Sequence, residues 1–342
     1  MPLPDVRPQR FLRITQVALV LVALNIVSGA AVRLSDSGLG CPDWPTCSRE
    51  HLTPALSLHP VVEFGNRMVV VVLCVFALLT LVAALRRTPR RPDLVWLSAG
   101  LVGGVVAEAV VGAVVVYTKL NAYVVMCHFL LGIAILSDAV VLALRAGRAH
   151  GAHGSGADRS GAAPPRLVGR HELLLSRVML GLLALAVAAG TATTGAGPHA
   201  GGVGAKRVPV PLADMARLHS GIVLVLVGLT LGLLVLLARN GAPESVLLRT
   251  RLLVAAMAAQ GVIGYTQYFS HLPPLLVGVH VFGATVVWTA MLWFYDGLTR
   301  HRPETSPTPG ATPTPDVVAT TGATPTPDAV TPTPVTVSPA RP

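Results

Sequence analysis

Three histidines lie inside long apolar segments of the sequence, where an ionisable side chain is costly and is kept for a function by default. His128, His219 and His280 each lie about six or seven residues from the same predicted end of their segments. At 1.5 Å per helical residue, all three reach a depth of roughly 10 Å. One such histidine would be interpreted as a hydrogen-bonded interior residue, whereas three at one depth favour metal or haem ligation.

The spacing of these histidines favours a flat macrocycle over a small metal ion. The nearest two, His219 and His280, are 61 residues apart, whereas zinc and copper sites more often bring cysteine or a closer cluster of ligands. Neutral imidazole is the usual axial ligand of haem iron. We therefore expect haem between helices that each offer one histidine from opposite sides.

A second group of polar residues lies at the start of another apolar segment. His59, Glu63 and Asn66 are spaced by four and three residues, so they share one helical face. Asn66 stands at the depth that His219 occupies in the second half of the chain. Glu63 and Arg67, four residues apart, are interpreted either as a structural ion pair or as a carboxylate beside a reactive substrate.

The loop before this segment contains Cys41 and Cys47, with five residues between them. On an oxidising side of a membrane they can close a structural disulfide, and a strained or exposed disulfide would instead be redox-active. The other two cysteines, Cys74 and Cys127, lie within apolar segments and are interpreted as packing residues.

A later glycine-rich loop, residues 194–202, repeats the start of the first loop without its cysteine pair. It contains His199. We interpret this side chain either as solvent-exposed or as a contact to a haem propionate.

The elements that position these residues are eight apolar segments. The 342 residues are 52% hydrophobic and only 12% charged, with a mean hydropathy of +0.65, which excludes a soluble enzyme. Four cysteines are too few for a disulfide-stapled secreted module.

Each of the eight apolar segments has the roughly 20 apolar residues that cross a bilayer. The first segment has no cleavage site and is interpreted as a retained helix. The segments cover residues 12–32, 59–85, 93–117, 122–145, 171–194, 213–238, 246–267 and 273–297.

The distribution of positive charge predicts the orientation of these segments. Seventeen arginines flank their ends on one side, against five Lys and Arg residues on the other. Because positive charge collects in cytoplasmic loops, we predict a multi-pass plasma-membrane protein with both termini in the cytoplasm. The net charge of +10 is thereby explained, and nucleic acid is excluded as a partner.

The sequence is also duplicated. Glu108 lies 20 residues before His128, as Gln260 does before His280, so one offset of 152 residues aligns both landmarks. Four helices in each half enter the membrane from the same side, so a pseudo-twofold axis should run along the membrane normal. The predicted fold is all-α: eight transmembrane helices in two homologous four-helix bundles, whose cores are where cofactors bind. These bundles are residues 12–145 and 171–298.

Three further segments are not expected to enter the bundles. Residues 1–11 are predicted to be a cytoplasmic N-terminus, and residues 146–170 a cytoplasmic linker rich in Gly, Ala and Ser. Residues 299–342 repeat Thr-Pro with almost no bulky apolar residue, which predicts a disordered cytoplasmic tail.

Several separate motifs resemble those of the haem A synthase family, most closely its actinobacterial type. The resemblance covers about residues 10–298. The motifs are 29–47 (GAAVRLSDSGLGCPDWPTC), 63–67 (EFGNR), 118–121 (TKLN), 197–201 (GPHAG) and 260–264 (QGVIG).

The resemblance implies an oxidoreductase that converts haem O to haem A. Such enzymes oxidise the C8 methyl group to a formyl group through two successive oxidations, with water as the oxygen source and dehydration of a geminal diol. It further implies a haem b in the C-terminal half, its iron between His219 and His280. The substrate haem is implied to bind in the N-terminal half, with His128 as one axial ligand.

The resemblance also assigns roles to the residues around the first loop. Glu63 is implied to be the catalytic carboxylate near the reacting methyl group, and the Cys41–Cys47 pair to pass electrons or to stabilise the site. Many relatives have histidine where this chain has Asn66, so the second axial ligand of the substrate haem is left open. We place His59, two turns nearer the loop, at the haem edge, and count Arg67 and His199 among the cofactor-binding residues.

The implied substrate is haem O, and the implied product goes to a haem-copper terminal oxidase. Haem O synthase, oxidase assembly factors and membrane lipid are the expected partners, and a homo-oligomer is left open. The main alternative is a bis-His di-haem membrane electron-transfer protein. A transporter also fits internal repeats, but the helices lack the paired Gly/Pro breaks at mid-membrane that such binding sites need.

Overall fold

The computed structural model describes residues 5–41, 43–48, 53–148, 168–202 and 205–299. These residues form eight α-helices and no strand; a single isolated bridge pairs Val6 with Arg87. All eight helices are long and apolar enough to cross a membrane, so the predicted all-α class with eight spans is confirmed. They are α1 (Pro8–Leu34), α2 (Leu58–Leu85), α3 (Pro92–Tyr117), α4 (Ala122–Ala146), α5 (Arg170–Ala196), α6 (Leu212–Arg239), α7 (Glu244–Phe269) and α8 (Pro274–Leu298).

Local sequence explains where several helices begin and end. Proline lies in the first turn of α1, α3 and α8, where its fixed φ suits a helix and its missing N–H would be unpaired anyway. Asn121 caps α4 by accepting a hydrogen bond from the Tyr123 backbone N–H at 3.0 Å. An α-helix pairs its backbone N–H and C=O groups internally, which suits a segment that crosses lipid.

The helices form two sets of four. In each set consecutive helices contact one another and the fourth contacts the first; the sets meet through the pairs α1–α8, α4–α5 and α4–α8. We call the end with connections 35–57, 118–121, 197–211 and 270–273 the loop end, and the opposite end, with connections 86–91, 147–169 and 240–243, the arginine end. The pseudo-twofold axis and the cytoplasmic position of the termini stay predictions.

The C-terminal set is packed mainly at its arginine end. The buried residues of α6 run only from Leu226 to Leu237, and those of α7 only from Val246 to Met257. In α8 all buried residues except Val277 lie from Thr285 onward. At the loop end these three helices therefore lack the side-chain packing that closes the rest of the set.

Contacts at both ends connect the two sets. At the loop end Arg33 donates to the backbone oxygens of His199, at 2.8 Å, and Thr194, at 3.0 Å. Gly38 donates its backbone N–H to Gly201 O at 3.0 Å, and a Cβ at Gly38 would lie only 2.9 Å from that oxygen. At the arginine end, Arg148 pairs with Asp296.

Two predicted segments lie mostly or wholly outside the described residues. For the linker, predicted as 146–170, this applies to residues 149–167. For the tail, predicted as 299–342, it applies to everything after residue 299.

Candidate functional site

The two histidines of the C-terminal set face each other from α6 and α8. The ring centroids of His219 and His280 are 6.4 Å apart, and the rings are inclined at 75°. His219 Nδ1 lies 2.8 Å from the Ala186 carbonyl of α5, so it donates there and leaves Nε2 as the lone-pair nitrogen. His280 Nδ1 is buried without a hydrogen-bond partner among the described residues.

Glycines on the preceding helices make room for these rings. A Cβ at Gly190 would lie 3.1 Å from His219 Cε1, and one at Gly264 would lie 3.0 Å from His280 Cε1. The N-terminal set repeats the pattern, because a Cβ at Gly112 would lie 3.4 Å from the Cε1 atom of His128. Each histidine ring thus packs against the backbone of the preceding helix. A side chain in place of the glycine would leave less space for the ring.

These features fit a haem held by two imidazoles. Two metal–nitrogen bonds of about 2 Å, plus half of each ring, place imidazole centroids on the order of 6 Å apart, close to the observed 6.4 Å. The loop end of this set is also the part without buried side chains on α6 and α7. Within the described residues no group of three or more His, Cys, Asp or Glu side chains converges on one point.

The third histidine lies beside a buried carboxyl group. Glu108 of α3 is 8% exposed, and its Oε1 lies 3.3 Å from Nδ1 of His128 on α4. Sequence reasoning used Glu108 only as a landmark of the duplication and missed this contact. A carboxyl group within an apolar helix is itself the signal that could have found it.

A small cavity lies next to this pair in the N-terminal set. It is lined by Asn25, Glu108 and seven apolar or glycine residues, and has space for about one water molecule. Asn25 Oδ1 and Glu108 Oε2 are buried and have no hydrogen-bond partner among the described residues. The mostly apolar inside of this set therefore contains two buried polar oxygens without hydrogen-bond partners among the described residues.

The predicted Glu63–Arg67 ion pair is present, and it anchors the first loop. Glu63 is 5% exposed; its Oε1 accepts from Arg67 at 2.5 Å, and its Oε2 accepts from the Cys41 backbone N–H at 2.8 Å. Arg67 also donates to loop carbonyls, including those of Asp43 and Thr46 at 2.8 and 2.7 Å. This geometry supports the structural interpretation of the pair, and the catalytic role of Glu63 stays a proposal.

The predicted Cys41–Cys47 disulfide is present. Both cysteines are buried, which supports a structural role rather than an exposed, exchangeable disulfide. Of the other two, Cys74 is half-buried, but Cys127 is exposed. The expectation that Cys127 packs inside the protein is therefore wrong; adjacent helical positions point apart, and here His128 takes the inner one.

The remaining predicted site residues have protein partners at the loop end. Asn66 Oδ1 accepts from the Ser28 hydroxyl at 2.7 Å. His59 is exposed, with Nδ1 3.0 Å from Ser37 Oγ. His199 Nε2 lies 2.8 Å from the Leu272 carbonyl in the α7–α8 turn. Their predicted contacts with haem stay predictions.

Comparison with known proteins identifies a family and several relatives. The family model COX15-CtaA, described as cytochrome oxidase assembly protein, matches residues 12–201. A heme A synthase of Geobacillus kaustophilus is 35% identical over 129 residues, and one of Geobacillus thermodenitrificans is 34% identical over 130 residues; each match covers 36% of this chain and 40% of the relative. A heme A synthase of Bacillus cereus is 30% identical over 113 residues, 31% of this chain and 34% of that protein. The chain thus matches about two fifths or less of the length of these curated relatives.

Proposed function

The chain belongs to the COX15-CtaA family of cytochrome oxidase assembly proteins, and from this premise we propose that it is a haem A synthase. It oxidises the C8 methyl group of haem O to a formyl group in two two-electron oxidations, with oxygen from water and final loss of water from a geminal diol. Relatives named heme A synthase support this activity. The structural observation that supports this proposal is the pair of imidazoles on α6 and α8, whose ring centroids are 6.4 Å apart.

In the C-terminal half, His219 and His280 are the residues that hold haem b. When bound, this haem supplies one-electron redox chemistry. The Ala186 carbonyl fixes the tautomer and orientation of His219 through the 2.8 Å contact with Nδ1, so that Nε2 is the ligand atom. Gly190 and Gly264 keep both rings against the preceding helices, and the loosely packed loop end admits the macrocycle.

In the N-terminal half, His128 binds the iron of haem O, and Glu63 acts at the reacting methyl group. Glu63 Oε2 accepts a hydrogen bond from a neutral donor, the Cys41 N–H, and a carboxylate oxygen keeps further acceptor capacity. As a C–H bond of the methyl group breaks and two electrons and a proton leave it toward an external electron acceptor, water adds to the carbon and Glu63 Oε2 takes the proton of that water. Arg67 keeps the carboxylate oriented through Oε1. Asn66, which stands where the other half has His219, leaves the side of the substrate iron opposite His128 without an imidazole from α2.

One observation favours the alternative of a di-haem electron-transfer protein. Both oxygens of Glu63 already have protein partners, so the residue has a complete structural role without any substrate. In that case the same histidine pair would carry electrons, and no haem would be changed.

Haem extraction from membranes that contain haem O separates the two functions. We expect haem A in membranes with the wild-type chain, and with Glu63→Gln a protein that retains its haem but forms at least about tenfold less haem A, since general base catalysis contributes at least that much. Glu244→Gln is the matched control, because Glu244 is exposed and pairs with Arg251 at the arginine end. Haem-loaded wild-type protein without haem A would favour the electron carrier, and an undiminished yield from Glu63→Gln would make Glu63 purely structural.

The cellular setting completes the proposal. The chain is a multi-pass protein of the plasma membrane with both termini in the cytoplasm, and the haem sites lie toward the outer surface at the loop end. It receives haem O from haem O synthase and delivers its product during assembly of a terminal oxidase. Insertion by apolar helices and the asymmetry of arginines support this placement.

A further inference from the structure

The two halves of the chain differ at one position next to their equivalent histidines. Glu108 on α3 and Gln260 on α7 are 152 residues apart, and each lies four residues before the glycine that faces the histidine ring of the next helix. Glu108 Oε1 lies 3.3 Å from His128 Nδ1. Gln260 instead donates Nε2 to the His280 backbone oxygen at 2.8 Å.

The surroundings leave the Glu108 carboxyl group free to act on His128. Gly132 of α4 makes room for it, because a Cβ there would lie 3.3 Å from Glu108 Oε1. Glu108 lines the small cavity together with Asn25, and its Oε2 is buried without a hydrogen-bond partner among the described residues. Among the described residues its ion-pair partner is His128, and not an arginine or lysine. His128 Nδ1 is buried without a hydrogen-bond partner among the described residues, as are Gln260 Oε1 and His280 Nδ1 in the other half. The two halves differ in that a carboxyl oxygen lies 3.3 Å from His128 Nδ1.

The acceptor opposite Nδ1 controls how strongly an imidazole donates to a metal. A ligating histidine usually gives its other ring N–H to an acceptor, which fixes its orientation and raises its basicity. Glu108 Oε1 forms no hydrogen bond with His128 Nδ1, but a carboxylate 3.3 Å away acts on the ring through its negative charge. A carboxyl partner for His128 and a carboxamide beside His280 therefore create two imidazoles of different donor strength from equivalent positions.

We propose that Glu108 is a positioning residue that makes His128 a stronger iron donor than His280 and so gives the substrate-side iron the lower midpoint potential of the two. The inference rests on the proposed function, because it assumes haem at both sites. It assigns Glu108 no contact with the reacting methyl group. Its role is to make the midpoint potential at the site of oxidation different from that at the bis-His site, by changing the donor strength of the axial ligand.

Exchanging the two side chains tests the proposal. The purified full chain, loaded with haem O, is titrated by spectroelectrochemistry as wild type, Glu108→Gln and Gln260→Glu. We expect Glu108→Gln to raise the midpoint potential of the His128-site haem alone, with haem content unchanged. The reciprocal Gln260→Glu should lower the midpoint potential of the C-terminal haem alone.

Each outcome bears on the proposal. Unchanged potentials in fully loaded Glu108→Gln would overturn it. If that variant loses its N-terminal haem, Gln260→Glu decides, and an unshifted C-terminal potential would overturn the proposal. Haem A yield is measured in the same preparations: shifted potentials without haem A would contradict only the proposed function, and haem A with unshifted potentials would contradict only this inference.

Discussion

At the scale of single residues, the partners of each ring determine what it can bind. His219 Nδ1 donates a hydrogen bond to a backbone carbonyl, and His128 Nδ1 lies near the carboxyl group of Glu108. The side-chain oxygen of Asn66 accepts a hydrogen bond from the Ser28 hydroxyl. Asn66 therefore offers no imidazole where α6 offers one. The substrate-binding half is consequently proposed to have one protein ligand, and the C-terminal half two.

Asn66→His should convert the N-terminal site into a second bis-His site. The new imidazole would occupy on α2 the place that His219 has on α6, and six-coordinate low-spin iron should appear in addition to the C-terminal haem. The measurement is the electron paramagnetic resonance spectrum of the ferric protein loaded with haem O. A spectrum identical to wild type would show that α2 does not face the substrate iron.

Some of these residue contacts could not be predicted from the sequence. The i,i+4 spacing correctly indicated the Glu63–Arg67 pair, because a helix sets that distance by itself. The bond from Cys41 N–H to Glu63 and that from His199 to the Leu272 carbonyl depend on the paths of loops between helices. No local spacing determines those paths.

At the scale of elements, helix pairs with a glycine opposite a histidine are the repeated unit of the fold. The pairs α3–α4, α5–α6 and α7–α8 each contain one. The glycine lets the histidine ring lie against the backbone of the neighbouring helix. The duplication seen in the sequence therefore corresponds to a repeated contact between a histidine ring and a glycine on the preceding helix.

Gly264→Ala should weaken haem binding in the C-terminal half. The added Cβ would lie 3.0 Å from His280 Cε1, and overpacking of this kind costs about 1–3 kcal/mol, a loss of retention of roughly 5- to 150-fold. Gly261→Ala on the same helix is the control, since a Cβ there meets no described atom within 4 Å. The measurement is the amount of haem per protein, determined from the pyridine haemochrome after gel filtration. Equal values for both variants would contradict a role for the Gly264–His280 contact in haem binding.

Helix limits were predictable to within a few residues, and the differences have a physical cause. The predicted segment 12–32 became Pro8–Leu34, and 246–267 became Glu244–Phe269. Hydropathy identifies the part of a helix that lies in lipid, whereas arginine and glutamate in the first turns continue the hydrogen-bonded backbone beyond it. Proline at the start of α1 then marks the true first turn.

At the scale of the whole molecule, the two sets of helices are connected at both ends. Arg33 reaches from α1 into the loop after α5, whose His199 side chain contacts the α7–α8 turn. The first loop, which carries the disulfide and contacts Glu63, is adjacent to this connection through Gly38 and Gly201. The loop end thus links the proposed substrate half to the proposed haem b half.

Arg33→Ala should destabilise this connection. Arg33 donates two hydrogen bonds to backbone carbonyls, and charged hydrogen bonds contribute about 1.5–3 kcal/mol each. We expect a clear fall in the midpoint temperature of unfolding in detergent and faster proteolysis at the loop end. Arg207→Ala is the control, because Arg207 is exposed and has one longer bond, 3.2 Å to the Pro198 carbonyl; a similar fall in both would argue against a specific role for Arg33.

The central claim, that two imidazoles hold haem at the loop end of the C-terminal half, is tested most directly by electron paramagnetic resonance of the purified ferric protein. We predict a bis-His low-spin signal that is lost in His219→Ala and in His280→Ala, restored in each by added imidazole, and retained in His171→Ala, whose histidine is exposed in the first turn of α5. Persistence of that signal in both alanine variants would contradict the account.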